Sequence, residues 1–94
     1  MLTVIAKIIS KFERIEETKA LLIRLVPLTL KEEGCLQYDL HQGSLDKHIF
    51  FLYETWTDTE ALERHFQSRH LRELSEAAPI LLASPMKIYQ LGKV

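Results

Sequence analysis

The stretch His48-Ile49-Phe50-Phe51-Leu52-Tyr53-Glu54-Thr55-Trp56 is apolar on both sides of a strand. Read at period two, Phe50, Leu52, Glu54 and Trp56 share one face, while Ile49, Phe51, Tyr53 and Thr55 share the other. A half-solvated antiparallel strand alternates between apolar and polar residues. This one does not, so each face needs a cover. A chain of 94 residues has helices enough for one side only. The other side then needs a second copy of the sheet, which predicts a homodimer. Glu54, held between Leu52 and Trp56, is the polar exception and points toward chemistry.

The length predicts one domain, residues 1–94. An apolar fraction of 47% is that of a globular chain. The formal charge is −1 and no basic run occurs, which argues against nucleic acid as a partner. Cys35 is the only cysteine, so no internal disulfide forms; this fits a reducing compartment. Residues Met1 to Ile9 lack the basic head and long apolar run of a signal peptide, and no apolar stretch is long enough to span a bilayer. The expectation is a cytoplasmic protein with no membrane partner.

Leu2 to Ile9 is rich in β-branched residues and reads as a strand, with Leu2, Val4, Ala6 and Ile8 against Ile5 and Ile9. Ile15, Leu22, Leu25, Val26 and Thr29 then recur at helical spacing. Pro27 should kink that helix near Ile23, and Gly34 should stop it after about Lys31. Leu36, Tyr38 and Leu40 alternate with Gln37, Asp39 and His41 as a second strand, and residues 43–47 make a hairpin loop into the third. Thr57 to Glu60 predicts a capping box with Thr57 as N-cap. The helix beyond it should bury Ala61, Leu62, His65 and Phe66. Ser68 can restart it, with Leu71, Leu74 and Ala78 as the next stripe, and Pro79 ends or kinks it. Met86 to Leu91 reads as a last strand. The order β-α-β-β-α-β is the ferredoxin-like, α+β arrangement: a four-stranded antiparallel sheet with its helices on one face. Its bare face is apolar here. Each Ile, Phe or Tyr buried there by a partner is worth roughly 1.5–3 kcal/mol.

His65 follows Ala61 by one helical turn and faces the sheet. There it serves equally as a proton carrier near neutral pH or as a packed histidine with one satisfied nitrogen. His70 lies five residues on, which on a regular helix is a different face; a break at Ser68 could bring the two together. No third His, Cys or Asp follows at ligand spacing, so no metal site is predicted. Glu54 shares its face with Trp56 and could meet His65, either as an acid or base of raised pKa or as a rim carboxylate paired with an Arg or Lys such as Arg64. Trp56 and Tyr38 are core residues or the walls of a pocket for a flat aromatic ligand. Cys35, near a helix C-terminus, reads as a small buried hydrophobe. No phosphate loop, dinucleotide fingerprint, Gly-x-Ser-x-Gly or Cys-x-x-Cys is present, which argues against a cofactor held by such a motif.

Residues Gly34 to Leu40, Phe51 to Trp56, Ala61 to Phe66 and His70 together resemble the antibiotic biosynthesis monooxygenase domain family, as does the proline in the first helix. The resemblance runs from Leu2 to about Leu91. It implies a ferredoxin-like subunit that forms a dimeric α+β barrel. It also implies a pocket containing Trp56 and His65, with Glu54 and His70 beside them. Members of that family include cofactor-free monooxygenases acting on quinols or polycyclic aromatics, haem-degrading proteins and isomerases of small phosphorylated molecules. This chain has no asparagine, and Leu52 stands four residues before Trp56 on the same face. The haem-degrading and polyketide-oxidising members use an Asn near the Trp, so the resemblance is closest to the quinol-oxidising members or to small members without an assigned substrate. The resulting expectation is an oxygenase without a cofactor, acting with molecular oxygen on a small aromatic substrate. His65 and Glu54 are its candidate catalytic residues, and Trp56, Tyr38, His70, Phe66 and Leu52 line its pocket. The alternatives are a non-oxidative isomerase or lyase holding an anion through Arg24, Arg64 or Arg69, and a non-catalytic dimeric binding module. Fold alone does not choose among them.

Overall fold

A computed structural model describes residues 1–94. The strands are β1 (Leu2–Ile9), β2 (Cys35–Gln42), β3 (Ile49–Trp56) and β4 (Lys87–Leu91). The helices are α1 (Ile15–Leu30), α2 (Thr59–Phe66) and α3 (Arg69–Leu81), with a short 3-10 turn at Phe12–Arg14. The sheet order is β2-β3-β1-β4, and all three pairings are antiparallel. This is the expected ferredoxin-like α+β fold, with the second helical segment divided in two.

One face of the sheet is buried as its period-two pattern requires. Val4, Ala6, Ile8, Phe50, Leu52 and Trp56 are each at most 2% exposed, and they pack with Leu21, Leu22 and Leu25 of α1, Leu62 of α2 and Leu71 and Leu74 of α3. The other face is bare. Tyr53, Ile5 and Tyr89 lie in one row across β3, β1 and β4, with Phe51, Lys7 and Lys87 in another. Phe51 is 37%, Tyr53 40% and Tyr89 47% exposed.

Four local details differ from the sequence expectation. The β2–β3 register shifts between Cys35 and Gln37, so Cys35, Tyr38 and Leu40 face the helices while Leu36 turns outward. A bulge adds one residue and reverses the alternation before it. The cap of α2 is Asp58, whose carboxylate accepts from the Ala61 N–H at 2.8 Å; Thr57 stands one residue outside. Phe66 is 39% exposed rather than buried: it is the last residue of α2, beyond the turn in which Leu62, on the same face, is covered. Pro79 does not end α3, which continues to Leu81. No helix is long and apolar enough to cross a membrane.

Candidate active site

The site begins at a glycine. Gly34 has φ +89°, and a Cβ placed on it would lie 2.5 Å from the Ala61 Cβ and 2.8 Å from Thr57 Oγ1. The turn between α1 and β2 therefore rests directly on the first turn of α2. Its carbonyl also accepts from the Thr57 N–H at 2.9 Å. This close approach sets Glu32, in the same turn, opposite the face of α2 that carries His65 one turn beyond Ala61.

The expected break at Ser68 occurs and brings the two histidines together. α2 stops at Phe66, and Ser68 caps α3 by accepting from the Leu71 N–H at 3.3 Å. The same hydroxyl donates to the His65 carbonyl at 2.7 Å. Chain direction changes there, and the rings of His65 and His70 approach to 5.9 Å between centroids. Both imidazoles then meet one atom. Glu32 Oε2 lies 2.7 Å from His65 Nδ1 and 2.7 Å from His70 Nε2. A carboxylate only accepts, so each of those nitrogens carries a proton and donates it. That assignment leaves Nε2 of His65 as its free, basic nitrogen.

His65 is 1% exposed. Its ring packs on Trp56 at 4.7 Å and meets Tyr38 edge-on at 5.5 Å between centroids. Burial lowers its pKa below the ordinary histidine value, and the Glu32 carboxylate opposes that shift. Trp56 in turn donates Nε1–H to Glu54 Oε1 at 2.9 Å. Glu54 is 3% exposed, between Tyr38 on β2 and Val4 on β1. Its burial raises its pKa to about 7 despite the Trp56 hydrogen bond, with a smaller push from Glu32. The alternative pairing of Glu54 with Arg64 is not formed. Burial, then the charge of Glu54, also raises the Tyr38 phenol, which stays protonated. Cys35 is an inert thiol: burial pushes it up to about 11, with the charges of Glu32 and Glu54 adding to the effect.

The structure places Glu54, Trp56, Tyr38, His65 and His70 in one contiguous group. Phe66 touches the group from outside, with its ring 5.8 Å from that of His65. Leu52 lies on the same sheet face but is closed into the core. Glu32 was not foreseen, and with it the reading that no third ligand accompanies the histidines fails. Glu32, His65 and His70 place three ligand-type atoms within 4.8 Å of one another. Arg24 reaches the Ala20 carbonyl and Arg69 lies near Glu73, and no arginine is ion-paired with His65, His70 or Glu54.

Trp56, His65 and Glu54 line none of the four principal surface hollows. The largest of these, about 600 Å³, runs between α1 and β2 along Ile23, Val26, Pro27, Leu40 and Tyr38. Tyr38 is therefore the partition between that groove and His65.

The family model of antibiotic biosynthesis monooxygenase matches residues 1–77. The uncharacterized protein sll1783 of Synechocystis sp. is 32% identical over 85 residues, 88% of this chain; the chain spans 58% of that relative's length. The crystal structure of PA3566 from Pseudomonas aeruginosa has a TM-score of 0.93 and 41% identity, covering 99% of this chain and 93% of that one. A crystal structure of an antibiotic biosynthesis monooxygenase has a TM-score of 0.93 and 31% identity, covering 100% of this chain and 99% of that one.

Proposed function

Because the chain belongs to the antibiotic biosynthesis monooxygenase family, we propose that residues 1–94 are one domain that oxidises an electron-rich phenol or quinol with molecular oxygen, without a cofactor. The observation that carries this reading is the buried contact of His65 with Glu32 on one side and Trp56 on the other. Glu32 is a positioning residue. It fixes the Nδ1–H tautomer and leaves Nε2 to take a proton. The lowered pKa keeps that imidazole neutral, and so basic, at pH 7.

The substrate enters along the α1–β2 groove, whose volume is within the range of about 300–1,000 Å³ usual for small-molecule sites. Tyr38 turns aside to admit the ring beside Trp56. His65 removes the phenolic proton. The phenolate passes one electron to oxygen, and the radical pair joins at a ring carbon bearing hydrogen. The peroxide takes the proton back from His65. Loss of water then leaves a carbonyl, so one oxygen atom enters the product and the other departs as water. The buried setting of Trp56 and His65 keeps bulk water from the anion once the ring is seated.

A homodimer belongs to the same reading. The bare apolar face fits a second copy, which would close an α+β barrel and shelter the site. The purified protein is expected to run at twice its 11.0 kDa chain mass, and Tyr53→Glu to return it to single chains. A wild-type monomer at micromolar concentration, measured by light scattering, removes the enclosure from the mechanism. The free Cys35 fits a cytoplasmic setting.

Oxygen uptake with a panel of hydroquinones tests the chemistry. His65→Ala is expected to slow it by about 10²–10⁴-fold, the usual worth of a general base. Equal rates in the two proteins exclude His65 as the base. One observation favours a second reading, a dimeric binding module without catalysis: Trp56 is 0% and His65 1% exposed, so the interior is closed in the single chain. A hydroquinone that binds but leaves oxygen untouched would establish it.

A further inference from the structure

We propose that Glu32, His65 and His70 form a site for one divalent transition-metal ion, of the zinc or cobalt class. Two imidazole nitrogens and one carboxylate oxygen are a donor set that such ions favour, and three protein ligands leave a position for water. The three residues come from three separate segments: the turn after α1, the end of α2 and the start of α3. The Ser68 break brings the two histidines to one point, which a continuous helix would not do.

The geometry is close to that needed. Donors about 2.0–2.2 Å from a tetrahedral ion lie roughly 3.3 Å from one another. Glu32 Oε2 is 2.7 Å from each nitrogen, and all three atoms fall within 4.8 Å. The carboxylate has to draw back by several tenths of an ångström, and it stands on a turn rather than inside a helix. Access exists on that side: the Glu32 side chain is 17% and that of His70 14% exposed, while His65 forms the closed floor at 2%. The charge also fits. No Lys or Arg pairs with Glu32, whose only ion-pair partners are the two imidazoles. Glu54 is a second carboxyl group close enough for its titration to feel the charge of Glu32.

Metal binding and proton abstraction use opposite states of this cluster. An ion takes the Nδ1 lone pair of His65, which places the ring hydrogen on Nε2 and removes the free base. The site would therefore act as an inhibitory metal switch on any reaction that needs that base.

Titration of the whole chain with Zn2+, followed by calorimetry without quinol, tests the site independently of oxygen uptake. One ion per chain is expected in wild type. Glu32→Gln and His70→Ala should each weaken binding by at least about tenfold, the scale seen even for indirect partners of metal ligands, while His48→Gln leaves it unchanged. Co2+ should give visible d–d absorption in wild type that Glu32→Gln loses, and circular dichroism shows that each variant is folded. Wild type that takes up no Zn2+, or folded Glu32→Gln and His70→Ala proteins that bind as tightly as wild type, overturns the proposal. Zn2+ binding with no effect on a measured oxygen uptake overturns the switch.

Discussion

Glu54→Gln is expected to stabilise the protein by about 3 kcal/mol at pH 8 and by much less at pH 5. The wild-type carboxyl group is buried beside Trp56 with no cationic partner and titrates near 7, against 4.5 when unhindered. Its folded value lies above its unfolded one, so the folded state binds the extra proton between them. Stability is complete below about 4.5, falls as pH rises through about 7, and then stays at the lower level. At 1.36 kcal/mol for each pKa unit the loss comes to about 3 kcal/mol. Glutamine carries no charge and still offers Trp56 Nε1–H an oxygen. For a domain of this size the gain corresponds to roughly 12–24 °C in melting temperature. Denaturant melts of both proteins at pH 5, 6, 7 and 8 measure it. A difference that stays flat across that range would mean that Glu54 is ionised throughout.

Gly34→Ala acts in the opposite direction and through the backbone. An L-residue at φ +89° is strained by roughly 1–2 kcal/mol. The new methyl group would also lie 2.5 Å from the Ala61 Cβ, which has no torsion by which to move away. Forcing a methyl group into a packed contact costs typically 1–3 kcal/mol more. The combined loss is expected at about 2–5 kcal/mol, read from urea unfolding. Gly92→Ala is the control: a Cβ there meets nothing within 4 Å, and its effect should stay within about 0.5 kcal/mol. If the two substitutions cost the same, the turn does not depend on its contact with α2.

β1, β2 and β3 were legible because their period-two pattern is strong and one face of each is buried, with side chains as large as Phe50 and Trp56 filling that of β3, whereas β4 is exposed along its length and was legible only from its apolar residues after Pro85. The helix break at Ser68 was legible because serine is a favoured cap. The inward shift at the start of β2 was not, since a bulge leaves no mark in a run such as Cys35-Leu36-Gln37. The cap of α2 was misplaced because Thr57 and Asp58 are both good caps one residue apart, and Thr57 is drawn into the contact with Gly34. The part of the site hardest to foresee is Glu32. It lies in Lys31-Glu32-Glu33, which looks like any solvated end of a helix, and its partners are 33 and 38 residues away. Only the fold joins them. Gly34 held the one hint, because a left-handed residue fixes where the turn before it points.

The order of strands has a bearing on how the molecule is made. β1 is synthesised first, yet both of its neighbours come late: β3 at residues 49–56 and β4 at residues 87–91. Until then its backbone donors and acceptors have no sheet partner, and its apolar residues are exposed to other nascent chains. Pairing over such long loops is slow compared with helix formation. The interval before β3 and β4 emerge is accordingly the stage at which aggregation competes with folding, and shortening the chain before residue 87 would leave β1 permanently an edge.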